Sequence, residues 1–330
     1  MKALVYTGAL QVEFRDEPDP EPIGDQVLIK IESSGICGSD MHAYHGHDER
    51  RVPPLILGHE AAGIAMSGHY KGSAVAINPI TTCGRCFDCI AGRTNLCKDR
   101  ELIGMRVAGA FAEYVAISES SLIPIPDGLD LNKACLMEPT AVSLHSIALA
   151  EKCLLRPLSE ASVLVIGGGA IGLLAALILQ QKGTREIYIS ETSDSRREQV
   201  ARYCDCIAFD PLSKDLPRQN HFDLVIDAVG SGATRADASK YIRPGGVISH
   251  IGLQDNEPGL DTRKLTLQEV IFIGNYTYTT TDLIAALTAI ANDALGPLDW
   301  MDIRPLSSGA EAFRDLHQLN DVAPKIVLQP

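Results

Sequence analysis

The sequence is short of positive charge, with 29 Lys and Arg against 42 Asp and Glu and a formal charge of −13. Nucleic acid and anionic membrane both demand clustered Lys and Arg, so neither is expected as the main partner. No basic segment followed by an apolar run opens the chain. Met1-Lys2-Ala3-Leu4-Val5-Tyr6 reads as the start of a strand, and a cytoplasmic protein is the expectation. Low-complexity stretches, internal repeats and linkers of biased composition are also missing. With 45% hydrophobic and 22% charged residues, the composition is that of an ordinary globular protein. A chain of 330 residues is long for one core, so two domains are expected. One charge-free run, residues 161–180, has the length of a membrane span. Gly167, Gly168 and Gly169 would break such a helix near its middle, so the run reads as strand, turn and buried helix.

Cysteine, in contrast, is concentrated. Cys83, Cys86, Cys89 and Cys97 follow the spacing C-x2-C-x2-C-x7-C. Four thiolates so spaced can converge tetrahedrally on one zinc, with Gly84 and Gly92 letting the loop close. A closed four-sulfur shell leaves no position for water, so this metal holds structure and does no chemistry. Two disulfides, or four unrelated buried thiols, are the competing readings. Bridging so near in sequence strains the link, and thiols stay reduced in the expected compartment.

The first 150 or so residues carry short β-type runs, such as 26–31 and 73–77, broken by Pro and Gly. From about residue 160 the period changes. Strands are expected at 163–166, 186–190, 223–227 and 246–250, with helices at 170–181, 196–203 and 232–241. This alternation implies an α/β fold, a doubly wound parallel sheet of Rossmann type. A helix at 313–319 and a strand at 325–328 close the pattern.

Gly167-Gly168-Gly169-Ala170-Ile171-Gly172 contains G-x-G-x-x-G between an apolar strand and a helix, the context the motif needs. Gly167 permits the turn, Gly169 admits a pyrophosphate, and Gly172 brings the helix, beginning at Ala170 and Ile171, close to the sheet. Glu191 ends the second strand of this unit, where a carboxylate accepts from both ribose hydroxyls and repels a 2′-phosphate. NAD is therefore expected over NADP. Arg196 and Arg197 stand close enough to meet a 2′-phosphate, and a solvated Glu191 is the bland alternative.

Three further segments complete the reading: Gly35-Ile36-Cys37-Gly38-Ser39-Asp40-Met41-His42, then Gly58-His59-Glu60, then Met137-Glu138-Pro139. Each alone is unremarkable, but together they supply Cys, His and carboxylates, the ligand set of an open catalytic zinc. With these motifs in this order, essentially the whole chain resembles the zinc-dependent medium-chain dehydrogenase/reductases, the alcohol dehydrogenase superfamily, and most nearly its sorbitol (polyol) branch.

The resemblance implies a β-rich GroES-like catalytic domain, residues 1–148 and 295–330, around a Rossmann domain, residues 149–294. It also implies two zinc ions and NAD per chain, and a homodimer or homotetramer. Cys37 and His59 match the catalytic zinc ligands. Glu60 matches a residue that is a ligand or exchanges with water. Glu138 stands where classical members have a third cysteine ligand. Ser39 matches the hydroxyl that takes the substrate proton, His42 the outer member of the relay through the ribose, and Asp40 the carboxylate that orients the metal-bound histidine. The chemistry is coherent on its own terms. Zinc makes an alcohol acidic enough to ionise near neutral pH, and His42 titrates in the range that passes a proton to solvent.

The chain also departs from the family pattern. Residues 64–75 are shorter than usual and lack Gly-Asp-Arg-Val, which trims a surface hairpin. Thr277-Tyr278 replaces an Arg-Tyr found in many polyol dehydrogenases, which weakens the case for sorbitol itself. Cys135, Cys153, Cys204 and Cys206 read as core, and His45, His47 and His69 as loop residues without a role. The expected activity is oxidation of a secondary alcohol or polyol to the ketone. L-Threonine or 2,3-butanediol is the alternative substrate, and a non-catalytic cofactor-binding relative the alternative of another class.

Overall fold

The computed structural model of the chain describes residues 1–318 and 323–330. The chain divides into two compact units. The first comprises Met1–Glu138, Thr279–Asp293 and Met301–Pro330, and the second Pro139–Tyr278 and Ala294–Trp300.

The first unit begins with β1 (Lys2–Gly8), β2 (Gln11–Asp16), β3 (Gln26–Gly35), the short helix α1 (Gly38–Tyr44), β4 (Leu55–Ile56) and β5 (Glu60–Ala65). It continues through β6 (Ala74–Ile77), β7 (Ile80–Thr81), α2 (Phe87–Ile90), β8 (Glu101–Leu102), β9 (Tyr114–Ser118), β10 (Leu122–Pro124) and α3 (Leu131–Ala134). The chain then runs through α4 (Met137–Glu151), β11 (Ser162–Ile166), α5 (Ala170–Gln181), β12 (Glu186–Ser190), α6 (Asp194–Tyr203) and β13 (Ile207–Phe209). Next come β14 (Phe222–Asp227), α7 (Gly232–Tyr241), β15 (Ile242–His250), α8 (Thr262–Leu267) and β16 (Ile271–Gly274). Helix α9 (Thr280–Ala291), β17 (Met301–Pro305), α10 (Gly309–Gln318) and β18 (Lys325–Gln329) return the chain to the first unit.

In the first unit a sheet runs in the order β10-β6-β5-β3-β18-β17, with β9 also paired to β3. The alternation of β3 drives this. Val27, Ile29 and Ile31 are buried beside Val75, Ile77, Val115 and Ile117. A second cluster, built on Leu4, Tyr6, Ile36, Leu57, Phe111, Phe313 and Ile326, packs α10 and β18 into the same unit. The Lys325–Gln329 strand pairs antiparallel with β3, setting Val327 opposite Gly35. Leu319, the expected end of the helix before it, lies outside the described residues.

The second unit holds the parallel Rossmann-type sheet, order β13-β12-β11-β14-β15-β16. Its strands β11 and β14 are buried throughout, as strands covered on both faces must be. Ser193 caps α6, its hydroxyl accepting from the Arg196 N–H, which starts that helix earlier than its apolar pattern suggests. Residues 161–180 resolve into β11, the glycine turn and α5. Among the described residues no helix is long and apolar enough to cross a membrane.

The chain crosses between the units after Glu138, Tyr278, Asp293 and Trp300, where the expectation had one Rossmann segment of residues 149–294. Helix α4 is continuous from Met137 to Glu151, so the change of sequence period near residue 150 marks that helix's end. Helix α9, expected in the Rossmann part, packs against α3 and belongs to the first unit. Cys135 and Cys204 are buried as expected of core residues, whereas Cys153 and Cys206 are partly exposed.

Candidate metal centres and dinucleotide turn

Cys83, Cys86, Cys89 and Cys97 bring their sulfurs within 4.8 Å of one another. Cys83 Sγ lies 4.0 Å from Cys89 Sγ and 3.6 Å from Cys97 Sγ. A tetrahedron of sulfurs around zinc has edges of about 3.8 Å, given Zn–S near 2.3 Å, while a disulfide needs about 2.05 Å. All four are free thiols. Backbone N–H groups of Arg85 and Cys86 lower the Cys83 thiol to about 6, whereas burial and the Cys86 and Cys97 sulfurs push Cys89 up to about 11. Four thiols this close cannot all ionise unaided, and a divalent cation removes the conflict. The loop fits zinc.

The second centre is assembled at the adjoining ends of two paired strands. Strand β3 ends at Gly35 and delivers Cys37 to the N-terminal end of α1. Strand β5 starts at Glu60, paired across from Gly35, with His59 just before it. Donor atoms of Cys37, His59 and Glu60 all lie within 4.8 Å of one another. Glu138 is not among these converging donors. It sits buried in the first turn of α4, near enough for its charge to act on Lys325 beside Glu60 and Cys37.

Asp40 is fully buried. One of its oxygens accepts the Cys37 N–H at 3.0 Å, and the other lies 3.5 Å from His59 Nδ1. That arrangement directs the other ring nitrogen of His59 to a cation, as a carboxylate behind a metal-binding histidine does. Burial disfavours the charged imidazole, but Asp40 and Cys37 outweigh it and hold His59 well above its ordinary value. The pocket is built to attract positive charge.

Ser39 and His42 are three residues apart on α1, hence on one helix face. Ser39 Oγ accepts from Arg51 Nη2 at 3.1 Å, which leaves it one lone pair and its own O–H. Arg51, buried, also donates to Gly104 O at 2.9 Å and to Asp48 Oδ2 at 2.5 Å. Burial, then neighbouring His47, lowers the pKa of His42, so its imidazole stays neutral further into the acid range.

Sequence reasoning missed Arg51, and it missed Lys325, whose ammonium meets Glu60 at 2.6 Å. Both belong to segments that carry no motif. A buried cation facing a buried carboxylate is not a local pattern in sequence.

In the second unit, Gly167 adopts a φ of +100°, and its N–H donates to Ser190 O at 2.8 Å, tying the turn to the end of β12. A Cβ on Gly172 would lie 1.8 Å from Gly167 O, so helix α5 can start where it does with no other residue there. A Cβ on Gly169 would meet no protein atom within 4 Å. That open space at the start of α5, where Ala170 and Ile171 form the first turn, suits a pyrophosphate. Glu191 is buried and turned back to this loop. Its carboxylate accepts the Gly168 N–H at 2.8 Å and the Ser193 N–H at 2.9 Å. Arg197 is bound to Asp194 and to the Glu191 carbonyl, whereas Arg196 has no ion-pair partner among the described residues.

A further anchor went unread in the sequence. Asp227, fully buried, accepts from Val229 N, Gly230 N, Thr234 Oγ1 and His250 Nδ1 at 2.8–3.1 Å. It fixes the loop after β14 beside the glycine turn, at the switch point between β11 and β14 where a dinucleotide is received.

Comparison with known proteins agrees with this geometry. Residues 24–127 match the model of the alcohol dehydrogenase GroES-like domain, and residues 170–292 that of the zinc-binding dehydrogenase family. The chain is 31% identical over 295 residues to L-galactonate-5-dehydrogenase of Escherichia coli (strain K12), covering 86% of this chain and 85% of that protein. It is 32% identical over 299 residues to sorbitol dehydrogenase of Bacillus subtilis (strain 168), covering 85% and 83%. The solved structure of L-idonate 5-dehydrogenase from Escherichia coli K-12 superposes with a TM-score of 0.88 at 25% identity, covering 100% of this chain and 98% of that one. The chain therefore belongs to the zinc-dependent medium-chain dehydrogenase/reductase family, the alcohol dehydrogenase superfamily, and is an oxidoreductase that works with zinc and a nicotinamide dinucleotide.

Proposed function

We propose that the chain oxidises a secondary hydroxyl of a polyol or sugar acid to the ketone, with NAD in preference to NADP as hydride acceptor. The observation that carries this reading is the convergence of Cys37, His59 and Glu60 beside a helix bearing Ser39 and His42. Cys37 and His59 hold the catalytic zinc, with a carboxylate, Glu60 or Glu138, in reach of exchange with water. The four-cysteine loop holds a second zinc that braces the fold. When bound, the catalytic zinc supplies Lewis acidity that makes an alcohol easier to deprotonate.

The chain's own groups do the rest. Ser39 accepts the alcohol proton on its remaining lone pair, since Arg51 already fills the other, as it releases its own hydroxyl proton outward along the relay. His42, kept neutral, forwards it to solvent. Asp40 keeps the His59 ring in one orientation. Gly167, Gly169 and Gly172 with Ala170 and Ile171 receive the pyrophosphate, and Glu191 the adenosine ribose. The Arg196 side chain is the group that would moderate the NAD preference.

The relatives named above act on a sugar acid and on sorbitol, which supports a polyhydroxylated open-chain substrate. A homo-oligomer in a reducing, cytoplasmic setting completes the reading. The free thiols are in keeping with that compartment. On the second unit, β16 is an edge strand that exposes Ile271 and Phe272, with Leu267 exposed nearby, a surface suited to pairing with a second copy.

NADH formation across polyols, aldonates, vicinal diols and L-threonine tests the substrate. The highest kcat/KM is expected for a polyol or aldonate with NAD. Best activity with L-threonine, or with NADP, would contradict the proposal.

A further inference from the structure

Histidines from two distant parts of the chain meet on the first unit. His45 Nε2 and His317 Nδ1 face each other at 3.0 Å, with ring centroids 5.0 Å apart. The His47 ring stands 5.7 Å from that of His45 and 6.4 Å from that of His42. His45 and His317 are 272 residues apart, so no motif announces the pair.

The fold presets this meeting. His45 caps the C-terminal end of α1, its N–H donating to Met41 O at 2.9 Å, and His317 lies in the last turn of α10. The residue before His45, Tyr44, is buried against Phe313, ring centroids 5.3 Å apart. Phe313 and His317 are four residues apart and share a helix face, so one core contact aligns both imidazoles. Gly46, with a φ of +75°, then turns the chain back, and the His47 N–H donates to His42 O at 2.9 Å. His47 is exposed, and its ring can turn toward the pair. As it stands, its donors do not converge with theirs, the only converging sets of three or more among the described residues being the two centres above.

The chemistry of the pair is that of a chelate. Each neutral imidazole has one donor and one acceptor nitrogen, so a single proton lies between the facing atoms. Exchange through solvent can place that proton on the far nitrogen of its ring, leaving two lone pairs aimed at one point. Nitrogens on a tetrahedral zinc, with Zn–N near 2.05 Å, are about 3.3 Å apart, so the pair needs only a slight opening. Imidazole suits zinc, copper and nickel, whereas magnesium and calcium prefer oxygen. Water completes the shell, since His317 faces solvent.

We propose that His45 and His317, joined by His47, form a further site for a divalent transition metal, which staples the end of α1 to α10. It shares no ligand with the two zinc centres and stands whatever substrate the enzyme takes.

Calorimetric titration with zinc chloride tests it. The protein is zinc-saturated, freed of loosely held metal by gel filtration and kept in a non-chelating buffer. Wild type is compared with His45→Gln, His317→Gln and His47→Gln, and with His69→Gln as a histidine elsewhere on the unit. Circular dichroism checks that each variant is folded. Wild type and His69→Gln should take up one further zinc and unfold at a higher temperature in its presence, as with any ligand of the native state. His45→Gln and His317→Gln should each weaken that binding about tenfold or more, a loss that even the outer partners of metal ligands produce. His47→Gln should weaken it less. No further zinc on wild type at about 1 mM overturns the proposal. Undiminished uptake by folded His317→Gln or His45→Gln places the ion elsewhere and overturns it equally. Undiminished affinity in His47→Gln refutes the third ligand.

Discussion

Replacing Arg51 by methionine tests whether one buried guanidinium organises the loop around Ser39. The side chain is wholly inaccessible, bonds Asp48, Gly104 O and Ser39 Oγ, and lies 4.0 Å from Asp40 Oδ1. Methionine fills much of the volume and removes every donor. Breaking a buried ion pair by deleting one partner costs about 3–5 kcal/mol, and Asp48 near the surface argues for the lower end, about 3 kcal/mol. Part of that sum is specific to Asp48. Burial raises its carboxyl, but Arg50 and then Arg51 outweigh burial and bring it from 3.8 to about 2. That gap corresponds to roughly 2.5 kcal/mol before screening. Shared with Arg50 and discounted for solvent, about 1 kcal/mol belongs to Arg51. Urea unfolding of zinc-loaded Arg51→Met, Asp48→Asn and the double variant at pH 7 should therefore show a coupling of about 1 kcal/mol inside a total penalty near 3 kcal/mol. A penalty below about 1 kcal/mol, or strictly additive single variants, would refute this account of the loop.

Chelation of the purified enzyme should remove the Cys37–His59 zinc first and abolish activity while the fold and the four-sulfur zinc persist; elemental analysis of untreated protein returning fewer than two zinc ions would refute the assignment. His42→Ala should lower turnover by about tenfold on the acid side, because the native imidazole, held below its ordinary 6.5, remains a base there and is lost as pH falls further. Small added bases should restore that rate for His42→Ala, and a flat pH profile for the variant with no rescue would count against the relay. Glu191→Ala should narrow the NAD over NADP ratio in kcat/KM, since its carboxylate, which accepts the Gly168 N–H of the glycine turn, is the group proposed to receive the ribose; an unchanged ratio would exclude it as the discriminating group.

What sequence made legible was whatever depends on local spacing. The four cysteines, the G-x-G-x-x-G turn and the alternating period of the parallel sheet each occupy one continuous stretch, so their geometry follows from chain stiffness. The Cys37 and His59 segments were readable because each carries residues of unusual chemistry. Arg51 and Lys325 were not, since their roles depend on partners distant along the chain, Gly104 in one case and Glu60 in the other. Asp227 escaped for another reason. An acidic residue after an apolar strand looks like a solvated loop until four donors are found to converge on it. The change of period near residue 150 coincides with the end of a long helix, α4, which leaves no sequence signal at Glu138, where the first unit divides from the second.

The place of β18 in its sheet bears on how the enzyme is made. The Rossmann-type unit is nearly one continuous segment, Pro139–Tyr278, and its sheet can close as soon as that segment leaves the ribosome. The zinc-bearing unit cannot, because β3 must wait for a neighbour almost three hundred residues downstream. Until then the nascent chain presents Cys37, His59 and Glu60 without Lys325 beside them, and the C-terminal end of β3 lacks one neighbour. Contacts this distant in sequence form late and slowly. Insertion of the final strand is therefore the step that completes the metal-bearing unit.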